Sequence, residues 1–451
     1  MSQPAPPPVR SSEQRFPAVA WLLPIAAFVI TVGAVLLRQE GVPKLLTIWA
    51  EDGRDFAGCA YLRPLVPDCL LEPYAGWLHG VPRIGAAIAT LVPPADLSIA
   101  LGAIAAIVTG LAAAVVAVAI HEATRSWPAG LLGSASLGLV WQAAFEVGGN
   151  LTNIHWVLMA ASIVVIVAWW IGARSTPPTL TLLAATTVTS PFGLFLVALI
   201  LVGAALRRPA WRTVLVVTAI GSLIQLVGIA TTPREAPGRE PFIFSLVVAR
   251  YVRDVLAAGA FGPLRLPINW LVPLGIIATA AVAALVLLRP FNGDEALAGQ
   301  PRPRWLVLPI VGTLVGSGFL LFVAISVLQH KDNQRYSYIP AVLMCVALVV
   351  GAAMLRDAWA ASSKGAAAAI LKQIARLALP VAALVLMAGW SRTFRIETKA
   401  SDGPDYIQAY RAAAMSCGGN PGGRIRVPIS PVGAASWAVE IPCDRVQASE
   451  R

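Results

Sequence analysis

Charged residues are scarce in this 451-residue chain: only 13% of the residues are Asp, Glu, Lys or Arg, whereas 57% are hydrophobic. The core of a water-soluble protein cannot hold that much apolar surface, so most of it must face lipid. Several apolar runs reach the roughly 20 residues that are needed to cross about 30 Å of hydrocarbon. The composition therefore excludes an ordinary soluble globular protein and predicts a multi-pass membrane protein.

Other absences exclude whole classes of chemistry. The chain has only 4 His, without a metal-ligand spacing, and its 5 Cys do not show the spacing of a zinc site. The sequence contains no Walker loop, dinucleotide fingerprint or nucleic-acid-binding motif. Zinc sites, ATP-driven transport, redox chemistry and nucleic-acid partners therefore have no support. The first apolar run is not closely followed by a small-residue cleavage site, so we expect it to remain as the first span.

The apolar runs predict an all-α polytopic membrane protein with about nine to eleven transmembrane segments. One apolar region, 179–206, is interrupted by SPFG at 190–193, where Pro breaks the helix ladder. Its flanks are expected on the same side of the membrane, so we interpret it as a re-entrant pair of half-helices. The predicted spans are 16–37, 95–120, 129–146, 155–173, 213–231, 268–288, 305–328, 337–355 and 376–391.

These spans divide the chain into three parts. Residues 1–15 form a Pro-rich leader, 16–391 form the transmembrane domain with a long first loop at 38–94, and 392–451 form a small cap. Arg10 and Arg15 favour a cytoplasmic N-terminus, and the odd number of crossings then places the C-terminus outside. The cap contains two strand-like stretches, RIRVPIS and SWAVEIP.

The cysteines give a second indication of sidedness. Cys59 and Cys69 share the first loop, and Cys417 and Cys443 share the cap. Each pair can form a disulfide, and disulfides persist in oxidising compartments, so two pairs on one predicted side indicate an exported face. Cys345 lies within a span and is more typical of a small buried apolar residue.

Positive charge is abundant, with a net charge of +11, and much of it falls on the predicted outer segments. Basic groups at a membrane surface attract anionic lipids or lipid phosphates. Lys331 and Arg335 stand just before a span in HKDNQRYSYIP, and Arg253 follows Arg250 in another outer segment. Arg can hold a phosphate through two parallel hydrogen bonds. The alternative is ordinary snorkelling of long basic side chains beside an aromatic belt.

The stretch WAEDGRDF places the neighbouring carboxylates Glu51 and Asp52 in the first loop, shortly after the first span. The second half of that loop is amphipathic and suits a helix lying in the membrane interface, with Trp77, His79 and Arg83 among apolar and small residues. A carboxylate just above the lipid would meet substrates with a polar reactive end and a tail in the membrane. Alternatively, Asp52 forms a salt bridge with Arg54 or Arg83 that ties the loop down.

A third acidic position is Glu146, which opens the loop EVGGNLTNIHW between two spans, near His155. Together with Tyr336 at the interface, these residues are candidates for orienting an acceptor or for helping to hold a divalent cation such as Mg²⁺ or Mn²⁺. The alternative is a solvated loop carboxylate.

Four strings, WAEDGRDF, PYAGWLHGVPR, GNLTNIHW and RYSYIP, occur in that order along the chain. Over 16–391 the chain resembles bacterial membrane proteins of the GT-C superfamily, glycosyltransferases that use polyprenyl-phosphate-linked sugars. The resemblance implies a GT-C-like fold in a bacterial cytoplasmic membrane, a polyprenyl-phosphate sugar as donor and an extracytoplasmic glycan or lipid as acceptor. Transfer would proceed with inversion, among membrane lipids as further partners. We expect Asp52 as the general base, with Glu51 as second choice, and Arg335, Lys331 and Arg253 at the donor phosphate.

Two other classes stay open. The hairpin broken at SPFG resembles the discontinuous helices of transporters, which would make the chain a transporter or flippase of a lipid-linked sugar. The chain could also be a non-catalytic lipid-binding protein. A transporter should place ionisable residues at mid-span, where they mark the pathway. Here the charges gather at the predicted outer interface, which favours chemistry at the interface over transport but does not separate it from lipid binding.

Overall fold

The computed structural model describes residues 21–63, 67–232, 243–257, 307–329, 334–360, 366–419, 422–433 and 437–449. The predicted leader, the predicted span 268–288 and Lys331 lie outside these residues. The helices are α1 (Leu22–Leu37), α2 (Gly58–Leu62), α3 (Pro67–Leu71), α4 (Gly80–Ala89), α5 (Leu97–Thr124), α6 (Trp127–Leu139), α7 (Ile154–Ile171), α8 (Pro177–Thr187), α9 (Gly193–Ala205), α10 (Trp211–Thr231), α11 (Phe244–Arg250), α12 (Val307–Gln329), α13 (Tyr338–Ala360), α14 (Ala366–Arg392), α15 (Tyr406–Ala414) and α16 (Cys443–Ser449).

Six of the described helices, α5, α7, α10, α12, α13 and α14, contain segments that are long and apolar enough to cross a membrane. α1 and α9 are equally apolar but shorter. The protein is therefore a mostly helical, multi-pass membrane protein, as predicted. α7 lies at the centre of the bundle, with all its residues from Ile154 to Trp169 buried. Small residues allow close packing elsewhere: a Cβ on Gly110 of α5 would lie 2.7 Å from the ring of Phe28 in α1.

One predicted span is too long. The apolar run 129–146 does not form one helix, because α6 ends at Leu139 and Val140 adopts φ −58°, ψ 144°. A separate π-helical segment, Ala143–Val147, follows and carries Glu146. Hydropathy does not detect such a break, since the residues on both sides of it are apolar.

The predicted hairpin of two half-helices is present, and its position as a re-entrant element in the membrane stays a prediction. α8 and α9 are separated at the SPFG break, and the tip meets the start of α4, where Gly80 N donates to Val188 O at 3.1 Å and Val81 N donates to Thr189 Oγ1 at 3.1 Å. At the other end, a Cβ on Gly203 of α9 would touch Trp169 near the end of α7. The hairpin therefore begins, at the start of α8, and ends, at the end of α9, on the same side of the bundle.

The cap and the first loop share one hydrophobic core. Strands β1 (Arg424–Pro428) and β2 (Ala438–Pro442) pair antiparallel, with Ile425 opposite Ile441, at the two stretches predicted as strands. Their buried side chains pack with Phe56 and Tyr61 of the first loop. We call the side of the bundle that carries both segments the cap side.

Both predicted disulfides are present, Cys59–Cys69 with an S–S distance of 2.20 Å and Cys417–Cys443 with 1.98 Å. Because the two bonds lie in segments that pack in one core, they are on the same side of the membrane. That this side faces the outside remains a prediction.

The predicted interfacial helix forms as α4, but two of its expected anchors are not at the surface. Ile84 and Ile88 are 53% and 52% exposed, whereas His79 and Arg83 are buried, with only 1% and 4% of their surface exposed. The guanidinium of Arg83 donates to Cys69 O at 2.8 Å, so the side chain is anchored at the disulfide-closed part of the loop. The apolar face of the helix is thus the one left for lipid.

Candidate active site

Asp52, the preferred base in the sequence analysis, is not an exposed loop carboxylate. It begins the π-helical segment Asp52–Ala57 and is 2% exposed. Its Oδ2 accepts from Leu151 N at 2.7 Å, and its Oδ1 accepts from Thr152 N at 2.7 Å and from Thr152 Oγ1 at 2.5 Å. Both oxygens are therefore already used as acceptors. Asp52 fastens the first loop to the loop before α7.

The salt bridge considered for Asp52 is also wrong in its partners, because Arg54 pairs with Asp55 at 2.8 Å. The cation whose charge stabilises the Asp52 carboxylate is instead Lys44, a buried residue with 5% of its surface exposed. Burial lowers the pKa of Lys44 to about 8, and the charge of Asp52 opposes this shift. The Lys44 side chain can pack against the backbone of Gly149 because glycine has no side chain; a Cβ there would lie 2.5 Å from Lys44 Cε. Gly149 also has φ +74°, a conformation that glycine adopts without strain.

The loop that Asp52 holds is ordered by its own side chains. Asn150 Nδ2 and Asn153 Nδ2 donate to Glu146 O at 2.6 and 3.2 Å. His155 Nδ1 lies 2.8 Å from Thr152 O, and since a carbonyl only accepts, this nitrogen carries the proton. The lone pair of His155 is then on Nε2. His155 was expected in a loose constellation, but it is buried and fixed by the residue that Asp52 binds.

Glu51 has a different environment from its neighbour. Its side chain is half-buried, Oε1 accepts from Tyr74 Oη at 3.3 Å, and the buried Oε2 has no hydrogen-bond partner among the described residues. Burial raises the pKa of Glu51, the charge of Asp52 adds to the rise, and the charge of Arg335 opposes it. Glu51 is thus a carboxylate with a spare acceptor and a stronger than usual affinity for a proton, beside a guanidinium.

Glu146 is not a solvated loop carboxylate. Its side chain is 3% exposed, and each oxygen holds a different cation: Oε1 lies 3.1 Å from Arg335 Nη1 and Oε2 lies 3.0 Å from Lys399 Nζ. The structure therefore brings Arg335, a predicted phosphate ligand, onto the predicted acceptor-orienting residue. Lys399 was missed, and no local signal could have revealed it, since 253 residues separate it from Glu146.

The other predicted residues lie around this cluster. Arg253 is in the π-helical segment Tyr251–Ala257, which contacts the short helical turn Gln334–Ser337 that carries Arg335. The Arg253 side chain is 50% exposed and its Nε lies 2.6 Å from Asp254 Oδ1. Tyr336 is buried, with 6% of its surface exposed, and its ring centre lies 5.9 Å from that of Trp156.

Glu146 does not fit as a ligand for a divalent cation. A metal ion there would face the positive charges of Arg335 and Lys399 and find a single carboxylate whose oxygens are both engaged. In the part of the chain that the structure describes, no group of three or more His, Cys, Asp and Glu side chains could hold a metal ion. We therefore assign no step to a cation at this position.

A cavity of about 350 Å³ opens between the first loop and the cap. Its lining carries both signs of charge and includes Arg54 and Asp55, one turn after Glu51. Asp55 is close enough to Glu51 that its charge also raises the pKa of Glu51. The charged lining residues are Arg54, Asp55, Arg63, Glu72, Arg426 and Glu440.

No family model matches this chain, and no curated protein matches it. In structure it is similar to the oligosaccharyltransferase of Archaeoglobus fulgidus, crystallised with a tethered acceptor peptide that contains the NVT sequon, with 14% identity and a TM-score of 0.40. The match covers 89% of this chain and 57% of that one, so the chain spans little more than half of its length. At this identity and TM-score, the likeness alone establishes no activity for this chain.

Proposed function

We propose that this chain is a GT-C type membrane glycosyltransferase that moves a sugar, with inversion, from a polyprenyl-phosphate donor to an extracytoplasmic glycan or lipid. The observation that carries the proposal is the position of Glu51. This half-buried carboxylate has a raised pKa and an oxygen without a hydrogen-bond partner in the part of the chain that the structure describes, and it lies beside the Arg335–Glu146–Lys399 cluster on the cap side. A proton acceptor next to a concentration of positive charge suits transfer from a phosphate leaving group.

The reaction is a single displacement. The acceptor hydroxyl attacks the anomeric carbon while the bond from that carbon to the phosphate oxygen breaks, and the lipid phosphate leaves with the electron pair. Attack from the face opposite the phosphate inverts the configuration. The hydroxyl proton goes to Glu51, and the oxocarbenium character of the transition state lowers the demand for prior deprotonation.

Under this proposal, the two neighbouring carboxylates have separate roles. Glu51 replaces Asp52 as the base, because one Glu51 oxygen accepts no hydrogen bond from the described residues. Asp52 is a positioning residue that holds the loop carrying His155. Arg335 faces the departing phosphate, where its positive charge stabilises the developing negative charge.

The cavity between the first loop and the cap would admit the acceptor. Its polar, mixed-charge lining suits a hydrophilic group, and it reaches to within one turn of Glu51. The lipid-linked donor would come from the membrane, where Arg335 precedes the apolar helix α13. Donor and acceptor would then reach Glu51 from two directions.

The test is the variant Glu51→Gln, which keeps the size of the side chain but cannot take up the proton. Transfer from a polyprenyl-phosphate sugar should fall by about 10² or more. In the parent, a raised pKa keeps Glu51 protonated to a higher pH, so activity should fall with decreasing pH from above the ordinary carboxylate range. This acid limb should be absent from the residual activity of the variant.

A matched control is Glu40→Gln, at an exposed position in the same loop, which should keep both the rate and the acid limb. If Glu51→Gln transfers sugar at the parental rate, Glu51 is not the base. If the parent transfers no sugar but moves a lipid-linked sugar across vesicle membranes, the chain is a transporter. The α8–α9 hairpin is the observation that favours this second function, since discontinuous helices build transport sites.

A further inference from the structure

Lys399 lies on a segment that the fold fixes on both sides. This segment follows α14, and Ile396 N donates to Arg38 O while Glu40 N donates to Ile396 O, both at 3.1 Å. The turn that contains Lys399 is closed by a hydrogen bond from Ser401 N to Thr398 O at 3.1 Å. The backbone of Lys399 is therefore held against the first loop, and its side chain reaches from there to Glu146.

The Glu146 carboxylate is shared by two cations, with Arg335 on one oxygen and Lys399 on the other. The anion is almost completely buried, at 3% side-chain exposure, whereas the Arg335 and Lys399 side chains are 28% and 41% exposed. The two cations are thus the accessible groups of the cluster, and the carboxylate that binds them lies beneath.

The place of the cluster indicates which anion it would meet. Arg335 stands in the turn before α13, a helix long and apolar enough to cross a membrane, and Lys399 Nζ lies 5.7 Å from the ring of Phe145 on the cap side. A phosphate offers several oxygens: Arg can engage two of them with its planar fork, while a Lys ammonium adds a compact point charge. Glu146 fixes both cations, so a phosphate could bind without first ordering them.

We propose that Lys399 and Arg335 form one phosphate-binding site, assembled on Glu146 from segments before α13 and after α14. The ligand class is a phosphate ester at the membrane surface, and its lipid source rests on the proposed function. The sequence analysis sought the second cation at Lys331 or Arg253. The geometry points to Lys399, because it shares a carboxylate with Arg335.

The experiment measures binding of a C55 polyprenyl monophosphate to purified full-length protein in detergent, for the parent and for Lys399→Met, Lys399→Arg and Arg335→Met. The affinity should fall about fivefold in Lys399→Met, the scale expected for one charge near a membrane surface. Lys399→Arg restores the charge and should recover most of the loss. The control is Arg395→Met, an exposed basic position on the same segment, which should bind like the parent.

Inorganic phosphate as a competitor identifies the source of the ligand. Weak competition at millimolar phosphate supports a site that binds the lipid as well as the phosphate. If Lys399→Met binds the polyprenyl phosphate like the parent while Arg335→Met does not, the role of Lys399 is wrong and the proposed function stands. If the parent binds inorganic phosphate in a Lys399-dependent way but does not bind the polyprenyl phosphate, the phosphate site stands and the proposed donor is wrong.

A purely structural role for Lys399 would give a different pattern. Loss of the tie to Glu146 would then lower the melting temperature of Lys399→Met without changing the affinity of the folded protein. Unfolding curves of each variant, recorded without ligand, separate these outcomes. An unchanged affinity together with a lowered melting temperature would overturn the proposal.

Discussion

Two short π-helical segments, Asp52–Ala57 and Ala143–Val147, each bring a buried carboxylate to the cap side. Asp52 is bound by two backbone amides and a hydroxyl, whereas Glu146 is bound by the ends of two long cationic side chains. Backbone amides each have one N–H, which Asp52 already uses, but the side-chain cations have further N–H groups that can bind a ligand while one stays on Glu146. The difference supports a structural role for Asp52 and, under the proposal, a place for Glu146 in the binding site.

Glu51 lies between these two cases. It is next to Asp52 in sequence, yet only Oε1 accepts a hydrogen bond from the described residues, and the charge of Arg335 reaches it. A residue whose binding capacity is not used by the fold is the one that remains for a substrate. The comparison of the two carboxylates thus supports the proposed role of Glu51 as the base.

The largest effect on stability is expected for Asp52→Asn. The amide NH₂ of Asn would face a backbone N–H, which leaves at least one buried donor without an acceptor, and Lys44 would lose its opposite charge. We expect a loss of about 3 kcal/mol in the free energy of unfolding, measured by denaturant or thermal unfolding in detergent.

Asp55→Asn is the control for Asp52→Asn, because Asp55 is partly exposed, at 24%, and pairs with the exposed Arg54. It should change the unfolding free energy by less than about 1 kcal/mol. An Asp52→Asn protein that is as stable as the parent but inactive, with the acid limb of the pH profile gone, would return the role of base to Asp52.

A smaller loss of stability is expected for Glu146→Gln. Arg335 and Lys399 are partly exposed, so water can solvate them when the carboxylate charge is removed, and the loss should be about 1–2 kcal/mol. The KM for the donor should rise, because the two cations lose the anchor that fixes their positions. If Glu146→Gln destabilises the protein as much as Asp52→Asn and leaves the donor KM unchanged, Glu146 also belongs to the architecture.

Sequence reasoning found those features that have a local signature. The SPFG break predicted the hairpin, the paired cysteines predicted both disulfides, and alternating residues predicted β1 and β2. It failed where the determining contact is distant in sequence. The backbone amides that bury Asp52 leave no trace in residue identity, and Lys399 meets Glu146 only because the segment after α14 returns to the first loop.

Which of the two carboxylates, Glu51 or Asp52, is the better candidate base could also not be predicted from the sequence. The two carboxylates are adjacent, and the side that each one faces depends on how the π-helical segment at Asp52 is placed against the loop before α7. Hydrophobic periodicity does not resolve such a rotation over a few residues.

The smallest effect is expected for Thr152→Val, which removes one of the three hydrogen bonds to Asp52 and keeps the branched shape of the side chain. The amides of Leu151 and Thr152 still bind the carboxylate, so the loss should be about 1 kcal/mol, the usual net contribution of one hydrogen bond. The control is Thr109→Val, a buried position whose hydroxyl donates only to Ala105 O of its own helix. That carbonyl lies one turn earlier and also accepts the helical backbone bond, so the control should lose less.

A Thr152→Val protein that loses no more than the control would mean that the hydroxyl adds nothing to the backbone amides. A loss as large as that of Asp52→Asn would mean that Thr152, rather than the carboxylate, holds the loop. The intermediate result is expected because Asp52 joins two loops through several bonds, and no single donor carries the whole connection.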